Sequence, residues 1–172
     1  MVKLLGAILI LFAGTMIGFQ QAARFAERPR QLRQLAHALQ RLETEIGYGY
    51  TPLDEALRRA SHALAEPAAA LFADAAARLS NGGETTFREA WEAALAEHWP
   101  RTSMKRGEHE VMLQLGTLLG ISDREDQMKH LRLALLQLQS EEEAAREDQV
   151  RYEKMCKSLG ILAAALIVIL MV

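Results

Sequence analysis

The chain has one cysteine among its 172 residues, Cys156, which excludes an internal disulfide framework and any cysteine-cluster zinc site. Four prolines and 6% aromatic residues are a poor supply for a sandwich or barrel, whose strands draw on β-branched and aromatic side chains. No basic excess exists either. A formal net charge of −2 excludes a dedicated nucleic-acid binder, which needs clustered cations to neutralise phosphates. What is present is abundant Ala and Leu, with 50% hydrophobic and 24% charged residues, enough apolar surface for a packed core. That composition predicts a small helical protein with room for one domain.

Patterns of catalysis are also missing. None of His37, His62, His98, His109 and His130 has a Glu three residues before it, so the Glu-x-x-His pair of di-iron bundles is absent. His109-Glu110 lacks the second histidine of a zinc protease helix, and Asn81-Gly82-Gly83 lacks the lysine and spacing of a phosphate-binding loop. No nucleophile-elbow pattern occurs. The expectation is a non-enzyme with no catalytic, cofactor-binding or metal-binding residues. Cys156 reads as a packing residue.

The apolar residues are unevenly distributed. Leu4 to Ala23 carries no charge, and Leu159 to Val172 carries no polar side chain. These runs predict an N-terminal membrane anchor over 1–24, a central domain over 25–154 and a C-terminal membrane anchor over 155–172. The last run is short, reaching about 21 Å against a hydrocarbon core of about 30 Å. Lys154 and Lys157 could extend it by snorkelling to the headgroups. Arg24, Arg28, Arg30 and Arg33 follow the first anchor, and Lys154 and Lys157 precede the second. The positive-inside rule therefore puts the central domain in the cytoplasm.

Breakers divide the central domain into an antiparallel bundle of about six helices. Pro29 opens a helix with Leu32, Leu35, Ala36, Leu39, Leu42 and Ile46 at three- and four-residue spacing, ending at Gly47-Tyr48-Gly49. Thr51-Pro52 predicts an N-cap and first helical position for a second helix, reaching Glu66-Pro67. A third runs from Pro67 to Asn81-Gly82-Gly83, and a fourth from about Thr86 to Trp99-Pro100. The fifth carries Val111, Met112, Leu115, Leu118 and Leu119 and closes at Gly120. Ser122 and Glu125 then form a capping-box pattern that opens a last helix, without proline, running into the membrane. Its stretch from Gln139 to Lys154 is polar all round, as in a solvated neck or a partner surface.

Two polar groups occupy positions not evidently facing solvent. Arg30, Glu43, Glu45, Tyr48 and Tyr50 precede the second helix; Asp123, Gln127, Lys129 and His130 open the last. Arg30, Glu43, Glu45, Tyr48, Asp123, Gln127, Lys129 and His130 are the candidates for docking a partner, since charge on a bundle can fix register or form a docking face. His130, on a largely apolar stretch, reads as a hydrogen-bonded core histidine.

Three stretches carry a resemblance. They are Arg41-Leu42-Glu43-Thr44-Glu45-Ile46 with Tyr48 and Thr51-Pro52-Leu53-Asp54-Glu55-Ala56-Leu57; Leu119-Gly120-Ile121-Ser122-Asp123 with Gln127-Met128-Lys129-His130-Leu131; and Tyr152, Lys154-Met155 and Lys157-Ser158-Leu159-Gly160. Together they resemble the stage III sporulation protein AB family of endospore-forming bacteria, over essentially the whole chain. The resemblance implies a membrane component of a channel between mother cell and forespore, in the mother-cell membrane. It also implies likeness to the helical F domain of type II secretion and type IV pilus platform proteins. Such platforms dock a cytoplasmic ATPase, here stage III sporulation protein AA by analogy, alongside other membrane subunits of the same operon. The family brings no catalytic residues or cofactor, and self-association is left open. The alternative is a platform protein of a secretion or pilus system outside sporulation.

Overall fold

The breakers that divide the sequence also divide the structure. A computed structural model of the chain describes residues 26–81, 83 and 85–171. Among them are six α-helices, a short 3₁₀ turn and no strand, so the all-helical expectation holds. The helices are α1 over 26–47, α2 Leu53–Ser61, α3 Ala68–Asn81, α4 Phe87–His98, α5 Arg106–Leu119 and α6 Arg124–Met171.

Sequence patterning accounts for most boundaries. Thr86 caps α4: its hydroxyl accepts the Glu89 N–H while the Glu89 carboxylate accepts the Thr86 N–H at 2.9 Å. Gly120 is the C-cap of α5, as expected. Four boundaries differ from the sequence expectations. Helix α1 already runs through residues 26–28, so Pro29 lies within it. Pro29 is buried there, next to the ion-paired Arg28. Pro52 rather than Thr51 is the N-cap of α2, because the Thr51 hydroxyl donates to Glu45 Oε2 at 2.9 Å. The helix also stops at Ser61, short of Glu66-Pro67, in turns closed by N–H bonds from Ala63 and Leu64. At α6, Asp123 takes the capping role assigned to Ser122, accepting the Asp126 N–H at 3.0 Å. Ser122 instead donates its hydroxyl to the Leu118 carbonyl at 2.6 Å.

Residues Arg28–Glu143 form one compact unit; the chain from Ala144 onward belongs to a second. Within the first, α2 packs on α3, α3 on α4 and α4 on α5. Trp91 anchors that side. Its ring meets Phe72 edge-on at 5.3 Å and stacks on Phe87 at 5.7 Å, and its indole N–H donates to the Met112 carbonyl at 2.7 Å. Helices α1 and α6 pair antiparallel. Arg33 bonds Glu142, Arg132 bonds Glu43, and Gly47 lies against Met128, so position rises along one helix as it falls along the other. Leu32, Leu35, Leu39 and Leu42 face inward from α1, and Leu131, Ala134 and Leu138 from α6.

The expected N-terminal membrane anchor lies outside the described residues, as does the side chain of Cys156. Helix α6 continues unbroken through the C-terminal apolar run to Met171. Among the described residues, no helix is long and apolar enough to cross a membrane.

Candidate functional site

Seven of the eight docking candidates come from the end of α1 and the start of α6, which the antiparallel pairing brings to one end of the bundle. Arg30 is the exception. It is exposed near the opposite end of α1, separated from Tyr48 by about 27 Å of helix at ~1.5 Å per residue.

At the shared end the candidates divide by use. Glu43 accepts from Arg132 Nε across the α1–α6 pair. Glu45 accepts from the Thr51 hydroxyl at 2.9 Å and from Arg59 at 2.9 Å, which braces the loop between α1 and α2. Donation by Thr51, then the charge of Arg59, holds the Glu45 carboxyl below its ordinary value. Gln127 donates its amide N–H groups to the Leu119 carbonyl at 2.8 Å and the Ser122 carbonyl at 3.2 Å. Those carbonyls lie at the end of α5 and in the following loop, where helical partners run out. Glu43, Glu45 and Gln127 therefore brace this end of the bundle. His130 is half-buried, not a core histidine.

Tyr48, Asp123 and Lys129 remain exposed. Beside them the structure places residues that the docking candidates left out. Tyr50 is exposed with the Arg124 guanidinium 3.6 Å above its ring, a cation–π contact. Ile121 is exposed in the α5–α6 loop. Its signal was visible, an isoleucine between a helix-ending glycine and a capping aspartate, where nothing in the helical pattern buries it.

A second missed group lies in the core. Glu108 on α5 is fully buried, and Oε1 accepts from both Arg28 Nε and Arg28 Nη2, with Nε at 2.8 Å. Its other oxygen accepts the Lys105 N–H at 2.7 Å, so the carboxylate is satisfied on both sides. Arg28 also reaches Glu141 on α6 at 2.8 Å. One guanidinium thus ties α1, α5 and α6 together. Glu108 stands in register with Met112, Leu115 and Leu119, a glutamate on an apolar helical face, and that spacing could have revealed it.

Asp74, Glu97 and His98 bring three metal-capable ligand atoms within 4.8 Å of one another. Arg78 already occupies two of them, donating to Asp74 at 2.9 Å and Glu97 at 2.7 Å. His98 Nε2 lies 3.3 Å from Asp74, and its buried Nδ1 has no hydrogen-bond partner. A cation would have to expel the guanidinium, so the cluster is better described as an ion-paired junction of α3 and α4.

Comparison with known proteins gives concordant results. The family model described as stage III sporulation protein AB matches residues 3–172. The chain is 46% identical to the stage III sporulation protein AB of Bacillus subtilis (strain 168) over 171 residues, covering 99% of both chains. It also matches a solved structure of a stage III sporulation protein AB at a TM-score of 0.68 and 44% identity, covering 73% of this chain and 98% of that one.

Proposed function

The chain belongs to the stage III sporulation protein AB family, whose name ties it to endospore formation, and from that premise we propose a membrane-anchored, non-enzymatic platform that docks a cytoplasmic secretion-type ATPase. The platform would form part of a secretion-like channel between mother cell and forespore. The observation that carries docking is the end of the bundle where α1 meets α6. Tyr48, Asp123 and Lys129 stand exposed there on a frame braced by Glu43, Glu45 and Gln127. Anchoring is supported by the apolar runs Leu4–Phe19 and Leu159–Val172 and by the basic residues flanking them. Sporulation-family membership favours this reading over a secretion or pilus platform outside sporulation.

The unbroken α6 suggests mechanical coupling, since a rigid helix transmits displacement along its axis. Two experiments test the reading. Full-length protein in lipid nanodiscs should bind stage III sporulation protein AA saturably, and more weakly as salt rises; no binding at any salt defeats ATPase docking. Inserting Pro-Gly next to Arg146 should stop sporulation while membrane fractionation stays normal, and undiminished spore counts would reject coupling while leaving docking intact.

A further inference from the structure

Three large apolar side chains are strongly exposed at the end of the bundle formed by the α1–α2 and α5–α6 loops: Tyr48 at 81%, Tyr50 at 73% and Ile121 at 82%. Single exposed apolar residues are ordinary on a soluble surface, but several on neighbouring loops mark an interaction site. The α1–α2 loop is also held rigidly. Tyr50 has φ +51, a left-handed conformation disfavoured for a residue with a Cβ. Arg124 stacks on its ring from α6, and the Thr51 N–H donates to the Glu45 carbonyl at 3.2 Å. Gly49 is packed so closely that a Cβ there would lie 2.8 Å from that same carbonyl oxygen. Backbone strain fixed from several sides is a form of preorganisation, and it presents Tyr48 without a further ordering cost.

Charge identifies the partner's chemistry. Asp123, Glu125 and Asp126 are exposed at the start of α6, and no cation pairs with the Glu125 or Asp126 carboxylates among the described residues. Arg124 is engaged over Tyr50, and Lys129 follows only one turn later. With Arg124 and Lys129 counted, the rim stays net acidic by one charge, which disfavours an anionic bilayer or a nucleic acid. A second copy docking isologously would bring the acidic patch against itself. A different protein with basic groups around an apolar pocket fits both features. We infer that this end of the bundle docks such a partner, with Tyr48 and Ile121 seated in the pocket and the Asp123, Glu125 and Asp126 carboxylates facing its lysines and arginines.

The inference rests on the docking reading and specifies its surface. Its test uses full-length protein in nanodiscs with stage III sporulation protein AA as the probe. Tyr48→Ser with Ile121→Ser removes apolar area without touching the braced Tyr50. Glu125→Arg with Asp126→Arg inverts the rim and leaves the Asp123 cap in place. The apolar pair should weaken binding by at least about tenfold, as expected for central anchors. The charge pair should weaken it at low salt and flatten the salt dependence. Wild-type affinity in both variants, with the ATPase still bound, would overturn the surface and leave the docking reading standing. If wild-type protein does not bind the ATPase, the docking reading falls and spore counts decide the surface. Both variants accumulating normally yet losing spores at least about tenfold would uphold docking of another basic partner; normal spore counts would overturn it.

Discussion

Gly116 has no room for a single added methyl group. A Cβ there would overlap the Trp91 ring, coming within 2.9 Å of its Cγ. The ring cannot yield, because Phe72 and Phe87 flank it and its N–H is committed to the Met112 carbonyl. Gly116→Ala should therefore destabilise the fold by about 1–3 kcal/mol despite alanine's better helix propensity. Differential scanning calorimetry would register a drop in Tm of several degrees, at roughly 3 °C per kcal/mol. Glu45 supports a prediction of a different kind. Its folded-state pKa lies below the ordinary value because Thr51 and Arg59 stabilise the carboxylate. Glu45 therefore contributes stability above its unfolded pKa, and that contribution disappears as pH falls through the lowered folded pKa. Thr51→Val should raise the Glu45 titration midpoint in carboxyl-detected NMR and make stability less sensitive to acid in that window.

At the scale of the element, α4 and α6 show what begins a helix. Thr86 and Glu89 satisfy each other's N–H groups, and donation from the Thr86 backbone, then from its hydroxyl, holds the Glu89 carboxyl below its ordinary value. Thr86→Ala should cost about 1 kcal/mol, lowering the denaturation midpoint with no change in m-value. The α6 cap works differently. Both Ser122 and Asp123 carry oxygen acceptors, and local sequence does not choose between them. The α5 terminus does, because Ser122 is drawn away to the Leu118 carbonyl and Asp123 is left to accept the Asp126 N–H.

Across the whole molecule, Arg28 and Glu108 are eighty positions apart yet close one core, with Glu141 reaching the same guanidinium from α6. Removing one member of a buried pair strands the other, which costs about 3–5 kcal/mol, whereas the solvent-screened Arg59–Glu55 pair contributes little. A fragment spanning 26–143 should unfold in one cooperative transition, since it contains the compact unit Arg28–Glu143 complete. A fragment spanning 30–143 should lose about 3–5 kcal/mol in urea denaturation. Substituting Glu108→Gln in that shorter fragment should restore part of the loss, because the stranded charge is then gone.

Local information in the sequence determined the helical class, the helix count, and the ends at Gly120 and around Asn81, since spacing, breakers and caps act over a few residues. It also marked the end of α1 and the start of α6 as polar, but only the antiparallel pairing of these two helices brings them to one end of the bundle, with Arg30 left at the other. Only tertiary structure decided the roles within that cluster. Glu43, Glu45 and Tyr48 look alike in sequence as polar residues at a helix end. Arg132, Thr51 and Arg59 claim the two carboxylates, while the tyrosine stays exposed. The buried Arg28–Glu108 pair is divided between the two: helical spacing turns Glu108 inward, but a charge can enter a core only where a distant partner meets it, and sequence spacing carries no record that the partner is Arg28.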